Sequence, residues 1–308
     1  MAPPASGPAR PAFRMIAPRA EHVLTLVGRA PLLLGPRTLV MGVLNITPDS
    51  FSDGGDAQDP ARALDLALAM EAAGADIIDI GAESTRPGAA PLSGREERRR
   101  LLPVMRQLHR LRIPISIDTT KAEVARFGLD EGASLINDIS GLQYDPALGD
   151  IVAMRGAPLV LMHMRGTPSD MYAQASYGDV AAEVTRELTR AIERAVSRGV
   201  DLNQLLVDPG LGFAKRAEHS LSLLTGLADL AALGRPVLVG PSRKSFLAAA
   251  VGQGPARDRD WATAAAVTAS VFGGAHIVRV HAVAEMVQVA RAADMMREHG
   301  AVAPGPSS

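Results

Sequence analysis

The sequence predicts a single-domain (β/α)8 barrel, also called a TIM barrel, and three observations support this prediction. Short runs rich in Val, Ile and Leu alternate with longer Ala- and Leu-rich stretches along the whole chain. There are about eight such pairs, which fits a closed barrel better than an open sheet. Most runs are continuously apolar, as in parallel strands that are covered on both faces. An open, doubly wound parallel sheet is the alternative architecture.

The predicted elements follow one another in a regular order. The strands are the apolar runs Leu39–Leu44, Asp76–Ile80, Ile113–Ile117, Ser134–Asn137, Pro158–Met162, Gln204–Val207, Pro236–Val239 and His276–Val280. Helices are predicted between them, among them Pro60–Ala73, Arg95–Leu111, Tyr177–Arg198 and Glu218–Leu233. Ahead of the first strand, Glu21–Arg37 carries two glycines and is predicted to be a short hairpin that closes the barrel bottom.

The two ends of the chain differ in composition from the middle. Residues 1–20 are rich in Pro, Ala and Arg and lack the apolar core of a signal peptide, which predicts a disordered tail. Residues 21–300 are predicted to form the barrel, and residues 301–308 a flexible C-terminus.

Composition excludes several classes of function. The net charge of −1 creates no general field that would attract nucleic acid or an anionic membrane. No apolar run reaches the ~18 residues of a membrane-spanning helix. The chain has no cysteine, which excludes disulfides, thiolate metal sites and a cysteine nucleophile and suits a cytoplasmic location. The charged run Arg95–Arg100 is interpreted as a solvated helix face.

Polar residues stand at the end of nearly every predicted strand. The runs end in Asn45, Asp118, Asn137, His163, Asp208, Arg279 and His281, and two further runs lead to Glu83–Gly88 and Ser242–Ser245. In a barrel these positions converge on one face, where catalytic residues lie in this fold. A single member such as Asp118 has the plain alternative of capping the next helix. The whole set predicts an active site.

The strand-end residues fall into two chemical groups. Carboxylate and amide groups suit a ring rich in N–H donors, such as a 2-amino-4-oxo heterocycle, and they are Asp118, Asn137 and Asp208. Cationic and donor groups suit a diphosphate, and they are Arg86, Lys244, Arg279 and His281. Asn45 is a candidate oxygen ligand for Mg²⁺, and no spacing of His and Glu is typical of zinc.

Several of these segments resemble dihydropteroate synthase, the pterin-binding enzyme family of folate synthesis. Two long segments, Met41–Gly55 and Asp79–Gly88, are similar to its first two signatures. Shorter matches follow in order at Ser116–Thr119, Ile136–Ile139, Leu161–Met164, Asp208–Gly210, Ser242–Ser245 and Arg279–His281. The resemblance runs from about residue 38 to residue 295.

The resemblance implies a reaction and a role for each site residue. The family condenses (7,8-dihydropterin-6-yl)methyl diphosphate with 4-aminobenzoate, by loss of Mg²⁺-bound diphosphate followed by attack of the arylamine. It implies that the pterin is held by Asp118, Asn137, Asp208 and Lys244. It implies that the diphosphate and Mg²⁺ are held by Asn45, Thr85, Arg279 and His281. It implies two closing loops and an aminobenzoate pocket formed by Phe51, Asp53, Arg86, Pro87, Phe213, Lys244 and Ser245.

Further expectations follow from the same resemblance. The groups expected to be catalytic are Asp53, Arg86, Asp118, Lys244, Arg279 and His281. The chain is expected to form a homodimer and to be inhibited by sulfonamides, which mimic 4-aminobenzoate. It departs from the family pattern at Ala214, Ala262 and Ala282, and Ala214 puts the loop that bears Phe213 in question. The alternatives are a pterin-binding methyltransferase and a paralogue that binds pterin without turnover.

Overall fold

The main body of the protein is an eight-stranded parallel sheet surrounded by helices. The computed structural model describes residues 16–47, 59–85 and 89–301. The strands of the main sheet are β3 (Leu39–Asn45), β4 (Ile77–Gly81), β5 (Ile115–Asp118), β6 (Leu135–Asp138), β7 (Leu159–Met162), β8 (Leu205–Asp208), β9 (Leu238–Val239) and β10 (Ile277–Val280). They lie in the order β8, β7, β6, β5, β4, β3, β10, β9. Every pair of neighbours is parallel.

The sheet closes on itself next to its two end strands. Val207 in β8 forms a parallel bridge with Val237, the residue before β9. The backbone N–H of Val207 donates to the carbonyl of Pro236 at 3.0 Å. Closure removes both open edges of the sheet. The predicted (β/α)8 barrel is therefore confirmed, and the alternative of an open doubly wound sheet is wrong.

Helices connect successive strands and cover the outside of the barrel. Those in the described residues are α1 (Pro60–Ala72), α2 (Gly94–Leu108), α3 (Ala122–Asp130), α4 (Ala147–Arg155), α5 (Val180–Ser197), α6 (Ala217–Thr225), α7 (Ala248–Val251), α8 (Asp260–Phe272) and α9 (Val283–Ala301). Several begin at a side-chain cap, as α2 does where Ser93 accepts from the N–H of Glu96 at 3.2 Å. In the part of the chain that is described, no helix is long and apolar enough to cross a membrane.

One predicted helix is interrupted. The stretch Glu218–Leu233 is not a single α-helix, because α6 ends at Thr225 and a 3-10 helix follows over Leu227–Leu233. Gly226 lies between them, and its N–H still donates to the carbonyl of Ser222 at 2.9 Å. Glycine has a low intrinsic preference for the helix interior, so the break falls there.

The barrel interior is apolar at its lower end and polar at its upper end. One apolar layer inside the barrel is built from Met41, Ile77, Leu135, Val160, Leu206, Leu238 and Ile277. The antiparallel hairpin of β1 (His22–Leu24) and β2 (Leu32–Leu34) adds Leu24 and Leu34 to this layer and covers the bottom. The predicted hairpin is therefore confirmed.

The segment before this hairpin is ordered against the barrel. The side chain of Arg19 is fully buried and donates to Gly35 O at 2.7 Å, Ala275 O at 3.0 Å and Asp294 Oδ1 at 2.9 Å. Asp294 in α9 also accepts from the backbone N–H of Thr38 at 2.6 Å. The predicted disordered tail is therefore wrong for residues 16–20, because a buried arginine with several acceptors fixes them. Residues 1–15 and 302–308 lie outside the described residues.

We predict that Asp294→Ala destabilises the fold strongly. Removing one partner of a buried ion pair leaves the Arg19 guanidinium uncompensated, which costs on the order of 3–5 kcal/mol. Urea unfolding followed by circular dichroism measures this free energy. Glu298→Ala, at an exposed position of the same helix, is the control and should stay within about 0.5 kcal/mol of the unmodified protein. Equal stability of the two variants would contradict the prediction.

Candidate active site

A cleft opens at the carboxyl ends of the barrel strands, where the sequence predicts the active site. Its volume is about 560 Å³. The predicted site residues that line it are Asn45, Thr85, Asp118, Asn137, Asp208, Phe213, Lys244, Arg279 and His281. Five of these residues lie at or near the ends of β3, β5, β6, β8 and β10, and the other four lie just after β4, β8, β9 and β10. The closed barrel therefore brings them together although they are spread over most of the chain.

One further predicted site residue lies beside the cleft, and four lie outside the described residues. Ser245 is exposed and begins the short 3-10 helix Ser245–Leu247 next to the cleft, but it is not one of the lining residues. The other four lie outside the described residues, and they are Phe51, Asp53, Arg86 and Pro87.

Arg279 joins two carboxylates across the cleft floor. Its Nε donates to Asp79 Oδ2 at 2.6 Å, and its Nη2 donates to Asp118 Oδ2 at 2.8 Å. Asn137 Nδ2 donates to the same Asp79 oxygen at 3.1 Å. The ends of β4, β5, β6 and β10 are therefore linked by one hydrogen-bonded ion network. An arginine suits this position because its planar fork can serve two acceptors at once.

Asp79 is the member of this network that is completely buried. Its Oδ1 has no hydrogen-bond partner among the described residues, and neither has Ser116 Oγ. Asp79 and Ser116 are paired in the β4–β5 register, so their side chains leave the same face of the sheet. The Arg279 guanidinium is what offsets the cost of burying this carboxylate.

Burial shifts the pKa values of the two cleft carboxyls Asp118 and Asp208 upward. Burial raises the pKa of Asp118 to about 7, against the opposing charge of Arg279. Burial raises the pKa of Asp208 to about 6, although its Oδ1 accepts from the N–H of Gly210 at 2.7 Å. Both groups can therefore change charge near neutral pH, as is common at functional sites.

Lys244 forms the opposite wall together with an aromatic ring. Its Nζ lies 3.8 Å from the centroid of the Phe213 ring, a cation–π contact. Burial lowers the pKa of Lys244 to about 8, with the Arg279 guanidinium acting in the same direction. The preceding residue, Arg243, has a left-handed φ of 60°, which few residues other than glycine adopt. Its backbone N–H donates to Thr263 Oγ1 at 3.0 Å, and its guanidinium pairs with Asp260 at 2.7 Å.

His281 is held in a defined orientation by Ser242. Ser242 Oγ lies 2.9 Å from His281 Nδ1 and also accepts from the backbone N–H of His281 at 3.2 Å. A hydroxyl can accept and donate at once, and a hydroxyl that donates to Nδ1 would leave Nε2 as the N–H donor of the ring. Burial lowers the pKa of His281 to about 3, and Arg279 adds to the effect. The ring is neutral at pH 7.

A buried charge cluster fixes the loop between β4 and α2. Lys121 Nζ contacts Glu83 Oε2 at 2.5 Å and Glu97 Oε2 at 2.7 Å. Glu83 also accepts from the backbone N–H of Leu92 at 2.8 Å, which ties the two ends of the loop together. Glu97 is completely buried, so the interpretation of Arg95–Arg100 as a solvated face is wrong at this residue.

The cleft thus presents acceptors on one side and cationic groups on the other. Such a site can bind a ring rich in N–H donors next to an anion. Among the residues that are described, no group of three or more His, Cys, Asp or Glu side chains could hold a metal. Asn45, at the end of β3, offers one amide oxygen to the cleft. A metal here would need most of its ligands from water or substrate.

Comparison with known proteins identifies the family. A sequence profile described as pterin binding enzyme matches residues 41–281. The chain belongs to the pterin-binding enzyme family. It is 46% identical over 271 residues to the dihydropteroate synthase of Synechocystis sp., covering 88% of this chain and 94% of that protein.

Solved structures of this family have the same fold. Dihydropteroate synthase of Yersinia pestis in a sulfonamide drug complex gives a TM-score of 0.84 at 42% identity, over 90% of this chain and 99% of that chain. Dihydropteroate synthase of Xanthomonas albilineans in complex with 7,8-dihydropteroate gives 0.79 at 37% identity, over 92% and 100% of the two chains.

The sequence predicts no role for three residues that the structure brings into contact with residues of the cleft or its loops. Asp79 contacts Arg279, and Ser242 contacts His281. Lys215 lies below the loop that bears Phe213. A charged residue inside the continuously apolar run Asp76–Ile80 was the available signal for Asp79. A lone serine or lysine in a loop motif gives no comparable signal.

We predict that Arg279→Met moves the titration of the Asp118 carboxyl to higher pH. The guanidinium favours the charged form of Asp118, so its loss should raise the pKa of this carboxyl by at least about one pH unit. Carboxyl ¹³C NMR across pH 4–9 measures this titration. Arg243→Met is the control, because Arg243 pairs with Asp260 and should leave the Asp118 carboxyl nearly unchanged. Unchanged titration in Arg279→Met would disprove the assigned coupling.

Proposed function

We propose that this chain catalyses the dihydropteroate synthase reaction. It condenses (7,8-dihydropterin-6-yl)methyl diphosphate with 4-aminobenzoate to give 7,8-dihydropteroate and diphosphate, a step of folate biosynthesis. The observation that carries the proposal is the division of one cleft into a carboxylate and amide side and a cationic side. Similarity to dihydropteroate synthases over most of both chains supports the same reaction.

The acceptor side is suited to the pterin ring. Asp118 and Asp208 offer carboxylate oxygens, and Asn137 offers an amide near the end of β6. A pterin presents an amino group and ring N–H groups on one edge, which these acceptors can bind. Lys244 adds a donor for the ring oxygen or a ring nitrogen, and Phe213 adds an apolar face. A site with such acceptors discriminates against analogues that lack the matching N–H groups, because its buried acceptors would then be left unpaired.

The cationic side is suited to the diphosphate. Arg279 provides donors, and so does His281 in the tautomer that carries its proton on Nε2, while Thr85 provides a hydroxyl on the loop after β4. The guanidinium is already held by Asp79 and Asp118, so little reorientation is needed when the anion binds. Of the predicted loop residues, Asp53 and Arg86 belong to the same proposal as groups that close over the substrates.

Mg²⁺ fits this corner of the cleft. Asn45 provides a neutral oxygen, the ligand type that Mg²⁺ accepts alongside waters and phosphate oxygens. When bound, the ion supplies positive charge that stabilises the leaving diphosphate. Its proposed protein ligand is Asn45, and removal of divalent cations with EDTA should abolish activity that added Mg²⁺ restores.

The residues of the cleft then act mainly through charge and position. The bond between the pterin methylene carbon and the diphosphate oxygen breaks, and the electron pair leaves with the diphosphate, beside Arg279 and His281. Asp118 and Asp208 stabilise the positive charge that spreads over the methylene and the pterin ring. The amine nitrogen of 4-aminobenzoate then forms the new carbon–nitrogen bond and releases a proton. No covalent bond to the protein is required.

The decisive experiment is an assay of the purified protein with both substrates and Mg²⁺. We predict formation of dihydropteroate, measured by chromatography, and a loss of kcat/KM of about 100-fold or more in Lys244→Ala and in Asp118→Ala. The control is Arg110→Ala, which removes one positive charge at an exposed position, as Lys244→Ala does in the cleft. It should retain normal kinetics. Absence of product, beside a dihydropteroate synthase that works under the same conditions, would overturn the proposal.

Two alternative functions predict different results for the purified protein. A paralogue that binds pterin without turnover would bind the pterin substrate and yield no product. A pterin-binding methyltransferase would instead demethylate a methylated folate in the presence of a corrinoid acceptor. The cationic groups Lys244, Arg279 and His281 favour the synthase, because a methyl transfer involves no diphosphate.

We predict that sulfonamides inhibit the protein in competition with 4-aminobenzoate. They share its ring and anilino nitrogen, and a related synthase has been crystallised in a sulfonamide drug complex. Initial rates at several concentrations of both compounds measure the pattern. The apparent KM for 4-aminobenzoate should rise with inhibitor while kcat stays constant. Inhibition that does not respond to 4-aminobenzoate would count against the proposed aminobenzoate pocket of Phe213, Lys244 and Ser245.

The predicted homodimer and the cytoplasmic location also remain proposals. Large apolar side chains are exposed on the last two helices, which pack against each other: Trp261 on α8 is 88% exposed, and Met295 on α9 is 63% exposed. Such groups are enriched at protein interfaces. Sedimentation equilibrium of the unmodified protein beside Trp261→Glu tests the dimer.

A further inference from the structure

Lys215 is a buried lysine for which the proposed reaction has no use. It is 2% exposed and is among the largest fully buried side chains of the protein. The chain contains three lysines, at positions 121, 215 and 244, while its other basic residues are arginine or histidine. A buried ammonium is expensive unless it is fully hydrogen-bonded, so its retention in this place calls for a reason.

The surroundings of Lys215 match an ammonium group. Its Nζ lies 3.1 Å from Gly210 O, 2.9 Å from Phe213 O and 2.8 Å from His163 Nδ1. These three acceptors can use all three N–H bonds of a protonated lysine, and His163 O lies farther away, at 3.4 Å. An arginine would bring five donors in a larger planar group, which acceptors clustered around one point do not match.

A histidine and a glutamate extend this contact away from the cleft. Because His163 Nδ1 accepts from Lys215, its Nε2 carries the proton and donates to Glu187 Oε2 at 2.9 Å. Burial lowers the pKa of His163 to about 4, and Lys215 acts in the same direction, so the ring is neutral. Glu187 also accepts from Arg165 Nε at 3.1 Å. The lysine is thus fixed from behind by a chain of paired groups.

On the cleft side, Lys215 holds an unusual piece of backbone. Gly210, Gly212 and Ala214 all have left-handed φ values, of 67°, 79° and 49°. Any side chain at Gly210 would collide with His163 O, because a Cβ there would lie 2.1 Å from it. The carbonyls of Gly210 and Phe213 point inward to the ammonium as a result of this conformation. Tyr177 adds a hydrogen bond from its hydroxyl to Ala214 O at 3.0 Å.

Lys215 also contributes to the charge environment of Asp208. The groups whose charges act on Asp208 are Lys244, Lys215 and Arg279, and all three favour its ionised form. The groups whose charges act on Lys215 are Asp208, Glu187, Arg165 and Lys244. Burial lowers the pKa of Lys215 to about 7, while Asp208 and Glu187 oppose this change. Lysine and aspartate therefore stabilise each other's charged state.

We propose that Lys215 is a positioning residue for the pterin half of the cleft. Its ammonium fixes the Gly210–Ala214 backbone that presents Phe213, and it supplies a cation beneath Asp208. It touches no substrate itself. This inference rests on the proposed function, because the affected step is binding of the pterin diphosphate.

The first test is Lys215→Met, which keeps the length of the side chain and removes its charge and donors. The KM for the pterin diphosphate should rise about tenfold or more, as expected when a charged hydrogen-bonding group is lost. The acid limb of the kcat/KM profile for this substrate should move to higher pH, because Asp208 loses a stabilising cation. A role in packing alone would leave the limb in place.

The second test restores an amine at the same position. The chain has no cysteine, so Lys215→Cys, unfolded and treated with 2-bromoethylamine, acquires a lysine analogue at residue 215 alone. After refolding, the KM for the pterin diphosphate should return to within about threefold of the original value. The analogue is less basic than lysine, so the alkaline limb of the profile should move to lower pH. The unmodified protein taken through the same treatment is the control.

The outcomes separate the inference from the proposed function. If the untreated, unmodified protein forms no dihydropteroate, the proposed function fails and the variants are irrelevant to it. If it is active, a pterin KM and an acid limb that are unchanged in Lys215→Met overturn the role of Lys215. Should Lys215→Met fail to fold, the aminoethylated protein still decides: an alkaline limb at its original pH, with the control active, overturns the role.

Discussion

The site depends on the ion pairs that Arg279 makes with Asp79 and Asp118. Two carboxylates this close inside a protein repel each other and lose their hydration, so they need a shared cation. Arg279 belongs to the last strand, whereas the carboxylates belong to β4 and β5. In the sheet β10 lies beside β3, β3 beside β4 and β4 beside β5, so the strand order and the curvature of the barrel bring the three side chains together. Fold and chemistry are therefore coupled: the groups that would bind substrate also hold the polar upper layer of the barrel together.

A similar coupling applies to the loops above the strands. Arg243 and Ala214 occupy left-handed backbone conformations that disfavour side chains, each next to a residue of the cleft. Fixed partners offset this cost, namely Asp260 and Thr263 for Arg243, and Tyr177 and Lys215 for the loop of Ala214. The family departure at Ala214 is thus accommodated in a buried, hydrogen-bonded turn. These contacts hold the neighbouring cleft residues Lys244 and Phe213 in place.

The architecture could be predicted from sequence because its signals are local. Each strand was found to within about two residues, since a strand buried on both faces is a continuous apolar run, and the strand-end residues identified the cleft. Charged residues with long-range partners could not be found this way. By composition Arg19 is part of a polar tail, and its partner Asp294 lies 275 residues away in the chain. The sequence around Lys215 does not distinguish this buried lysine, which contacts His163, from a solvated one.

The anchoring of Arg19 has a consequence for how the first and last described segments are arranged. The backbone N–H of Ala17 donates to the carbonyl of Phe272 at the end of α8, at 2.7 Å. The carbonyl of Ala17 accepts from Arg297 in α9 at 3.1 Å. The first and last described segments therefore meet beneath the barrel, on the face opposite the cleft. A fused domain, a tag or a surface linker attached through that face would leave the mouth of the barrel pointing outward and open to small molecules.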